Sequence, residues 1–247
     1  MATQRLMPLI LAATLFPALA QADTILGWRA GANAWQQYYE GDVQSGPSKI
    51  DLEDDLGYDD ETGYNLYLAL EHPVPVLPNI MVQRTKIDAD ARGDVTGFIF
   101  EGIIYSGEVR SSLDVSHTDA TLYYELLDNW VNLDLGITGR VFDNGVEITD
   151  VSTGITGSLD IDYVIPLVYA QARIDLPLTG LSLGVEANGI SYDDDSLYDV
   201  KVNLAYEFAF GLGIEAGYRN FDFDYEDDDE FADVTIDGAY AGVVWDF

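Results

Sequence analysis

Five basic side chains recur at alternate positions within otherwise apolar runs: Arg29, Arg140, Arg173, Lys201 and Arg219. Acids hold the same parity in runs of the same kind. Asp134, Glu186, Glu207 and Glu215 are the main ones, with Glu71, Asp119, Glu125, Asp175 and Asp199 beside them. Side chains on a strand alternate between two faces, so each charge belongs to one face while Leu, Val, Ile and Ala fill the other. Charges enclosed by a sheet persist only if they meet water or one another. The set therefore has two readings: a lumen packed with ion pairs, or a narrow path lined by surplus carboxylate that prefers cations. A barrel of about ten strands lies nearer the filled end of the size range, which favours the first.

Two other chemistries are weaker. Hydrolysis at a rim would use an Asp–His pair, and the chain has two histidines, His72 and His117. His117 shares a strand face with Asp119, but residues two apart on one face are ordinary neighbours. A calcium loop could begin at Asp222, where Asp222, Asp224 and Glu226 alternate. Its sixth position is Asp227 rather than Gly and its twelfth is Asp233 rather than Glu, so the EF-hand ligand pattern is broken. The expectation is solvated acid that attracts divalent cations loosely, with no built metal site, no cofactor and no catalytic residue.

These charges need strands to hold them, and period-2 alternation marks ten: about 24–36, 64–71, 79–88, 113–127, 131–142, 158–176, 181–190, 198–208, 212–219 and 233–247. The clearest places Val131, Leu133, Leu135, Ile137 and Val141 against Asn132, Asp134, Thr138 and Arg140. The facing of 79–88 is open, with either Gln83 and Thr85 inward or Arg84 and Lys86 inward. Connections sort by parity. Short turns at 73–78, 128–130, 177–180 and 209–211 take turns with connections that are long or acidic, at 37–62, 89–111, 143–157, 193–195 and 222–232. Outer-membrane barrels combine an even strand count with short periplasmic turns and longer extracellular loops. Aromatics agree: Trp28, Trp130, Phe208, Phe210, Trp245 and Phe247 fall at the turn ends, and Tyr64, Phe142, Tyr163, Tyr192, Tyr198 and Tyr218 near the loop ends. Two such girdles flank an aliphatic band at a bilayer.

Residues 1–22 read as a secretory signal. Arg5 precedes an apolar run from Leu6 to Leu19, and small residues at 18–22 suit cleavage before Asp23. The run is too short to span a bilayer as a helix. Residues 23–247 then form one domain. The chain is 48% hydrophobic, yet that content is dispersed in short alternating pieces, as a membrane barrel requires. There is no cysteine, which excludes a disulfide framework and thiolate chemistry. A net charge of −33 excludes nucleic acid as a partner on electrostatic grounds. The fold expected is a closed antiparallel up-and-down transmembrane β-barrel with both termini periplasmic.

The segments LGYDDETGYNLYLALEHPVPVLPNI, HTDATLYYELLDNWVNLDLGITGRVFD and the terminal GVVWDF resemble a family of small proteobacterial outer-membrane β-barrels, the "outer membrane protein with Gly-Gly" group. The resemblance covers essentially the mature chain. It implies the barrel and its location, and it brings no established activity or catalytic residues. Partners implied by the barrel are outer-membrane lipid and lipopolysaccharide, together with the assembly machinery that reads a terminal aromatic strand.

One stretch does not fit a solvated loop. Phe98, Ile99, Phe100, Ile103, Ile104 and Tyr105 crowd into eight positions, and leaving that surface in water is unfavourable by about 25 cal/mol per Å². An extended barrel wall, a partner patch, or a cap over the mouth through Phe98, Phe100, Ile103 and Tyr105 would each cover it, the cap resting on Leu113 and Val115.

The terminal strand gives the first prediction. Replacing Phe247 by Ser, or deleting it, should lower several-fold the fraction of protein that shows the fast-migrating unheated band on detergent gels. Trp245→Ser should act in the same direction. Unchanged folded yield in both variants would remove the assembly role from this strand end.

Overall fold

The computed structural model describes residues 26–45, 48–143, 145–161, 164–227 and 230–247. The expected signal segment 1–22 lies outside the described residues, as do Asn144 and Tyr163. β1 (Gly27–Ser45) is followed by a short β2 (Ser48–Asp51) that folds back on its end. β3 (Glu61–Glu71) and β4 (Asn79–Lys86) come next, then β5 (Asp88–Phe100) and β6 (Ile103–Asp114). β7 (His117–Leu127) and β8 (Val131–Phe142) precede the short β9 (Gly145–Asp150) and β10 (Thr156–Asp160). β11 (Val164–Leu176), β12 (Leu181–Tyr192), β13 (Asp195–Glu207), β14 (Leu212–Asp227) and β15 (Glu230–Asp246) complete the chain.

Among the described residues ten strands form a closed antiparallel barrel in the order β15-β14-β13-β12-β11-β8-β7-β4-β3-β1, with β15 pairing back onto β1. The seam runs from Arg29 opposite Asp246 to Ser45 opposite Glu230. Below it, Phe247 and Trp28 exchange backbone hydrogen bonds of 2.7 and 2.9 Å. Closure leaves no unpaired sheet edge, the condition for strands to cross hydrocarbon. An even count brings both termini to one end, here called the turn end because the tight connections lie there. His72 stitches one of them: its amide donates to Asn79 Oδ1 at 3.0 Å, and its ring Nε2 lies 3.1 Å from the Pro78 carbonyl oxygen.

Outside, the barrel carries an exposed apolar belt that includes Leu66, Leu68, Ile80, Val82, Leu135, Ile137, Val168, Leu183, Leu204 and Ile214. Exposed Trp28, Trp130, Phe208, Phe210, Trp245 and Phe247 rim its turn end, and Tyr38, Tyr64, Tyr192, Tyr198 and Tyr218 rim the loop end. Phe142 departs from expectation. It is buried and packs its ring against His117 inside the barrel, because its parity on β8 is that of Arg140. The open question on β4 is settled: Gln83 and Thr85 are buried in the lumen, while Arg84 faces outward and its guanidinium meets Asp143 at 2.8 Å.

Four expected acidic loops are corrected, the first because β1 continues through 37–45 and pairs with β2 and β15. The stretch 89–111 is the β5–β6 hairpin and 143–157 enters the β9–β10 hairpin at 145, and β5, β6, β9 and β10 build a second antiparallel sheet in the order β10-β9-β6-β5 at the loop end. Residues 222–227 and 230–232 are ladder: Asp222 opposes Thr235 and Asp224 opposes Asp233, so β14 and β15 continue past the aromatic rim. Phe221, Phe223 and Tyr225, alternating with the acids, supply the strand tendency that the acids lack.

The β5–β6 hairpin shows how sequence sets its facing. Ala89, Ala91 and Val95 point inward at period two. A register shift between Thr96 and Phe98, with Gly97 at φ +68°, then inserts one residue. That bulge moves Phe98 to the inner face. Glu101 and Gly102 both take positive φ between Phe100 and Ile103, the geometry of a two-residue hairpin turn. As a result Phe98, Phe100, Ile103 and Tyr105 share one face, and Tyr105 donates its hydroxyl to the Ile148 carbonyl at 3.1 Å. They enter a buried apolar cluster with Leu113, Ile50, Leu52, Leu56 and Tyr58, and with Trp35, Tyr39, Phe221 and Ile236 from the barrel wall. Val115 packs at its edge. Burial here pushes the Tyr58 phenol up to about 12. Ile104, 70% exposed, points away.

Phe98→Ala should therefore cost about 3–5 kcal/mol of local packing and speed protease cleavage within 96–107, while the barrel band persists on unheated gels. Ile104→Ala should leave cleavage unchanged. Equal cleavage rates for the two variants would contradict this packing.

Candidate functional site

Beneath the apolar cluster a charged network crosses the lumen. Asp119 and Arg140 are direct cross-strand partners on β7 and β8. Arg140 donates Nε to Asp119 Oδ1 at 2.8 Å and Nη2 to Oδ2 at 2.7 Å, a two-pronged geometry that guanidinium and carboxylate share. The same Nη2 reaches Asp199 on β13, at 2.7 Å. Arg219 on β14 grips Asp199 from its own side, Nε to Oδ1 at 2.8 Å and Nη2 to Oδ2 at 2.6 Å, and gives Nη1 to Thr85 on β4 at 3.2 Å. Two arginines against two aspartates leave the group neutral. All four side chains are buried, and opposite charge with multiple hydrogen bonds is the arrangement that makes such burial tolerable.

Aromatics seal the network. The Arg219 guanidinium lies 4.6 Å from the Trp35 ring centroid and that of Arg140 lies 5.7 Å from Phe221. His117, 0% exposed, sits between Phe142 and Phe221 at ring distances of 5.4 and 5.8 Å. Its Nδ1 is 3.0 Å from the Val115 carbonyl and its Nε2 is 4.0 Å from Asp199. His117 is thus packed inside the barrel, not at a rim open to substrate. His72 lies at the opposite end.

One step toward the turn end, Glu186 and Lys201 pair across β12 and β13 at 2.7 Å, and Gln83 bonds both, at 2.9 and 3.0 Å. Glu215 accepts from Asn33 at 2.8 Å, Asn203 at 3.0 Å and Tyr67 at 3.3 Å. Below these lies a cup of about 350 Å³, reaching Trp28, Asp128 and Phe247 at the turn end. Arg29 and Arg173 line it but are engaged by Asp246 at 3.4 Å and Asp175 at 3.2 Å. Tyr123 donates to Glu71 at 3.1 Å. Asp134, also in the wall, is 8% exposed and has neither a hydrogen bond nor an ion pair among the described residues.

The expected lumen charges thus separate. Arg140, Arg219, Lys201, Glu186 and Glu215 meet in the interior; Arg29, Arg173 and Asp134 belong to the cup. Glu207 is a correction: at the last position of β13 its side chain is exposed, outside the lumen, and it makes no ion pair among the described residues. Trp35, buried against Arg219, extends the Arg29, Gly31, Asn33 parity by one step and is the further lumen residue that parity alone would find. Among the described residues no three His, Asp or Glu side chains converge as metal ligands.

Comparison with solved structures bears on the fold. The crystal structure of the outer membrane protease OmpT from Escherichia coli aligns over 92% of this chain and 98% of that chain, at TM-score 0.54 and 12% identity. The fold is that of an outer-membrane β-barrel. The monoaromatic hydrocarbon channel CymD aligns over 92% of this chain and 70% of that chain (TM-score 0.36, 13% identity). Ail, the attachment invasion locus protein of Yersinia pestis, aligns over 89% and 99% (TM-score 0.34, 12% identity). Neither of these two is similar enough to inform the argument further. No family model and no curated protein sequence matches the chain.

Removing one partner of a buried ion pair strands the other charge and typically costs about 3–5 kcal/mol. Asp199→Asn weakens two guanidinium contacts and should destabilise the folded barrel more than Asp119→Asn, which weakens one. Glu207→Gln should be neutral. Urea unfolding in lipid vesicles measures the order; an Asp119 effect larger than that of Asp199 would contradict the central place given to Asp199.

Proposed function

We propose that this protein is an integral outer-membrane β-barrel with a sealed lumen, serving a structural or interaction role through its loop-end layer. Both termini and the tight turns face the periplasm in this reading, and the acidic hairpin sheet faces outward among lipopolysaccharide and divalent cations. The assembly machinery reads the strand that ends in Trp245 and Phe247. The "outer membrane protein with Gly-Gly" group, suggested by residues 56–80, 117–143 and 242–247, is the family this reading favours. No catalytic step is assigned.

One observation carries the sealed lumen. The Asp119–Arg140–Asp199–Arg219 network spans from β7 and β8 to β13 and β14 with every side chain buried, and apolar side chains cover it on the loop side. An ion crossing would have to break charge-assisted bonds and then enter an apolar layer, against a desolvation penalty of several kcal/mol. Phe98, Phe100, Ile103 and Tyr105 act here as a cap. A second reading, a narrow cation path, draws on the surplus carboxylate of the cup, where Glu71, Glu125, Asp128, Asp134 and Asp246 outnumber Arg29 and Arg173.

Planar bilayers distinguish the two. The sealed barrel should show no steady conductance at moderate voltage, and deleting residues 98–105 should raise leakage without abolishing assembly. Reproducible cation-preferring steps in the intact protein, reduced by Glu186→Gln or Glu215→Gln, would replace the sealed reading with the channel.

A further inference from the structure

The turn-end cup contains a carboxyl group, that of Asp134, to which no hydrogen bond or ion pair is made among the described residues. Asp134 on β8 lies directly opposite Glu125 on β7, and like charges facing each other across strands are destabilising. Its other cross-strand partner is Gln171, whose Oε1 accepts from Tyr169 at 2.7 Å. The arginine on that side of the cup, Arg173, is turned to Asp175 at the rim. Asp134 is more than nine-tenths buried, lines the cavity, and takes no hydrogen bond or ion pair among the described residues. Elsewhere in this lumen buried carboxylates are answered several times over: Asp199 by two guanidiniums, Glu215 by two amides and a phenol, Glu186 by Lys201 and Gln83. An ionisable side chain left thus at membrane depth marks a functional site by default.

The lining indicates what answers it. Among the described residues no three His, Asp or Glu side chains form a metal-ligand set, and the acids of the cup are spread along its wall. Glu71 lies across Tyr123 from Asp134, and Tyr123 and Tyr169 pack together at 5.8 Å beside Met81 and Ala69. Carboxylates next to aromatic and thioether surface suit a cation that carries carbon: the charge faces acid, the body faces rings, and ring faces attract ammonium groups. A cavity at a barrel mouth that is open on one side and closed by the Lys201–Glu186 and Glu215 layer is a binding cup rather than a passage.

We propose that this cup is a binding site for a small organic ammonium ion, held by Asp134 with Glu125 and Glu71 and bordered by Tyr123 and Tyr169. The site goes beyond the sealed-barrel reading and does not depend on it, since a cup can bind whether or not the lumen conducts. Titration calorimetry on the folded protein in zwitterionic micelles, with 1,5-diaminopentane as the probe, tests it. One saturable site is expected, weakened about tenfold by Asp134→Asn, the loss of one charge-assisted contact. Glu207→Gln, an exposed acid outside the cup, should leave affinity unchanged, and sodium chloride at matched ionic strength should not displace the probe fully. Should Asp134→Asn fail to fold, Glu125→Gln carries the same expectation of weakened binding. Unaltered affinity in the folded cup variant, or many weak sites abolished by salt, would overturn the proposal and leave only general attraction to an acidic protein.

Discussion

Asp199 holds two guanidiniums at once, one from β8 and one from β14, and the interior is arranged around that fact. A carboxylate transferred alone into a low-dielectric interior carries a penalty that no single neutral hydrogen bond offsets. Each arginine beside it has the same difficulty, and Arg140 resolves its share through Asp119. The result is a neutral group fixed to four strands, with Thr85 tying in a fifth. Such a group constrains register, because the side-chain period is two and a one-residue slip of β13 would turn Asp199 outward. Closure of the ten strands and neutrality of the lumen are thus one requirement seen from two sides.

The apolar layer above follows from the same constraint. Guanidinium faces covered by Trp35 and Phe221 need further cover from water, and the barrel wall alone does not provide it. β5 and β6 do so by continuing β4 and β7 beyond the rim, then presenting alternate apolar residues inward. The bulge at Gly97 decides the outcome: without the extra residue, Phe98 and Phe100 would face solvent while Ile99 faced the cluster. A glycine in the left-handed region is what allows that shift with little strain.

Much of the barrel was legible in the sequence. Period-two runs located ten strands, the sorting of connections ordered them, and the aromatics at three of the turn-end sites (Trp28 with Trp245 and Phe247, Trp130, Phe208 with Phe210) gave the orientation of the belt. The hairpin sheet was not legible in the same way. Its inner face begins with Ala89 and Ala91, too small to signal a strand, and the bulge breaks the period where the large residues start. The acidic reach of β14 and β15 reads as loop because Asp and Glu are weak strand formers, and only the interleaved Phe221, Phe223 and Tyr225 argue otherwise. For the site, parity alone assigned Arg140, Arg219, Lys201, Glu186 and Glu215 to the lumen. Partner choice was beyond it, since Asp199 and Arg140 lie 59 positions apart and meet only through closure. Glu207 has the right parity and the wrong height, and parity carries no height.

Height explains the remaining asymmetry. At mid-lumen Asp119, Asp199, Glu186 and Glu215 are all matched, since an unmatched buried charge there would be costly. Toward the turn end the lining becomes steadily more acidic, and water can enter the cup to solvate what the protein does not pair. Glu125 is exposed at the mouth. Asp134 sits deeper in the wall, more than nine-tenths buried. A chain that balances Asp199, Glu186 and Glu215 so fully had the means to balance Asp134, since Arg173 stands in the same cup and turns to Asp175 instead. Asp134 is therefore the buried carboxyl of the cup that the chain holds by long-range charge alone, on a wall open toward the turn side.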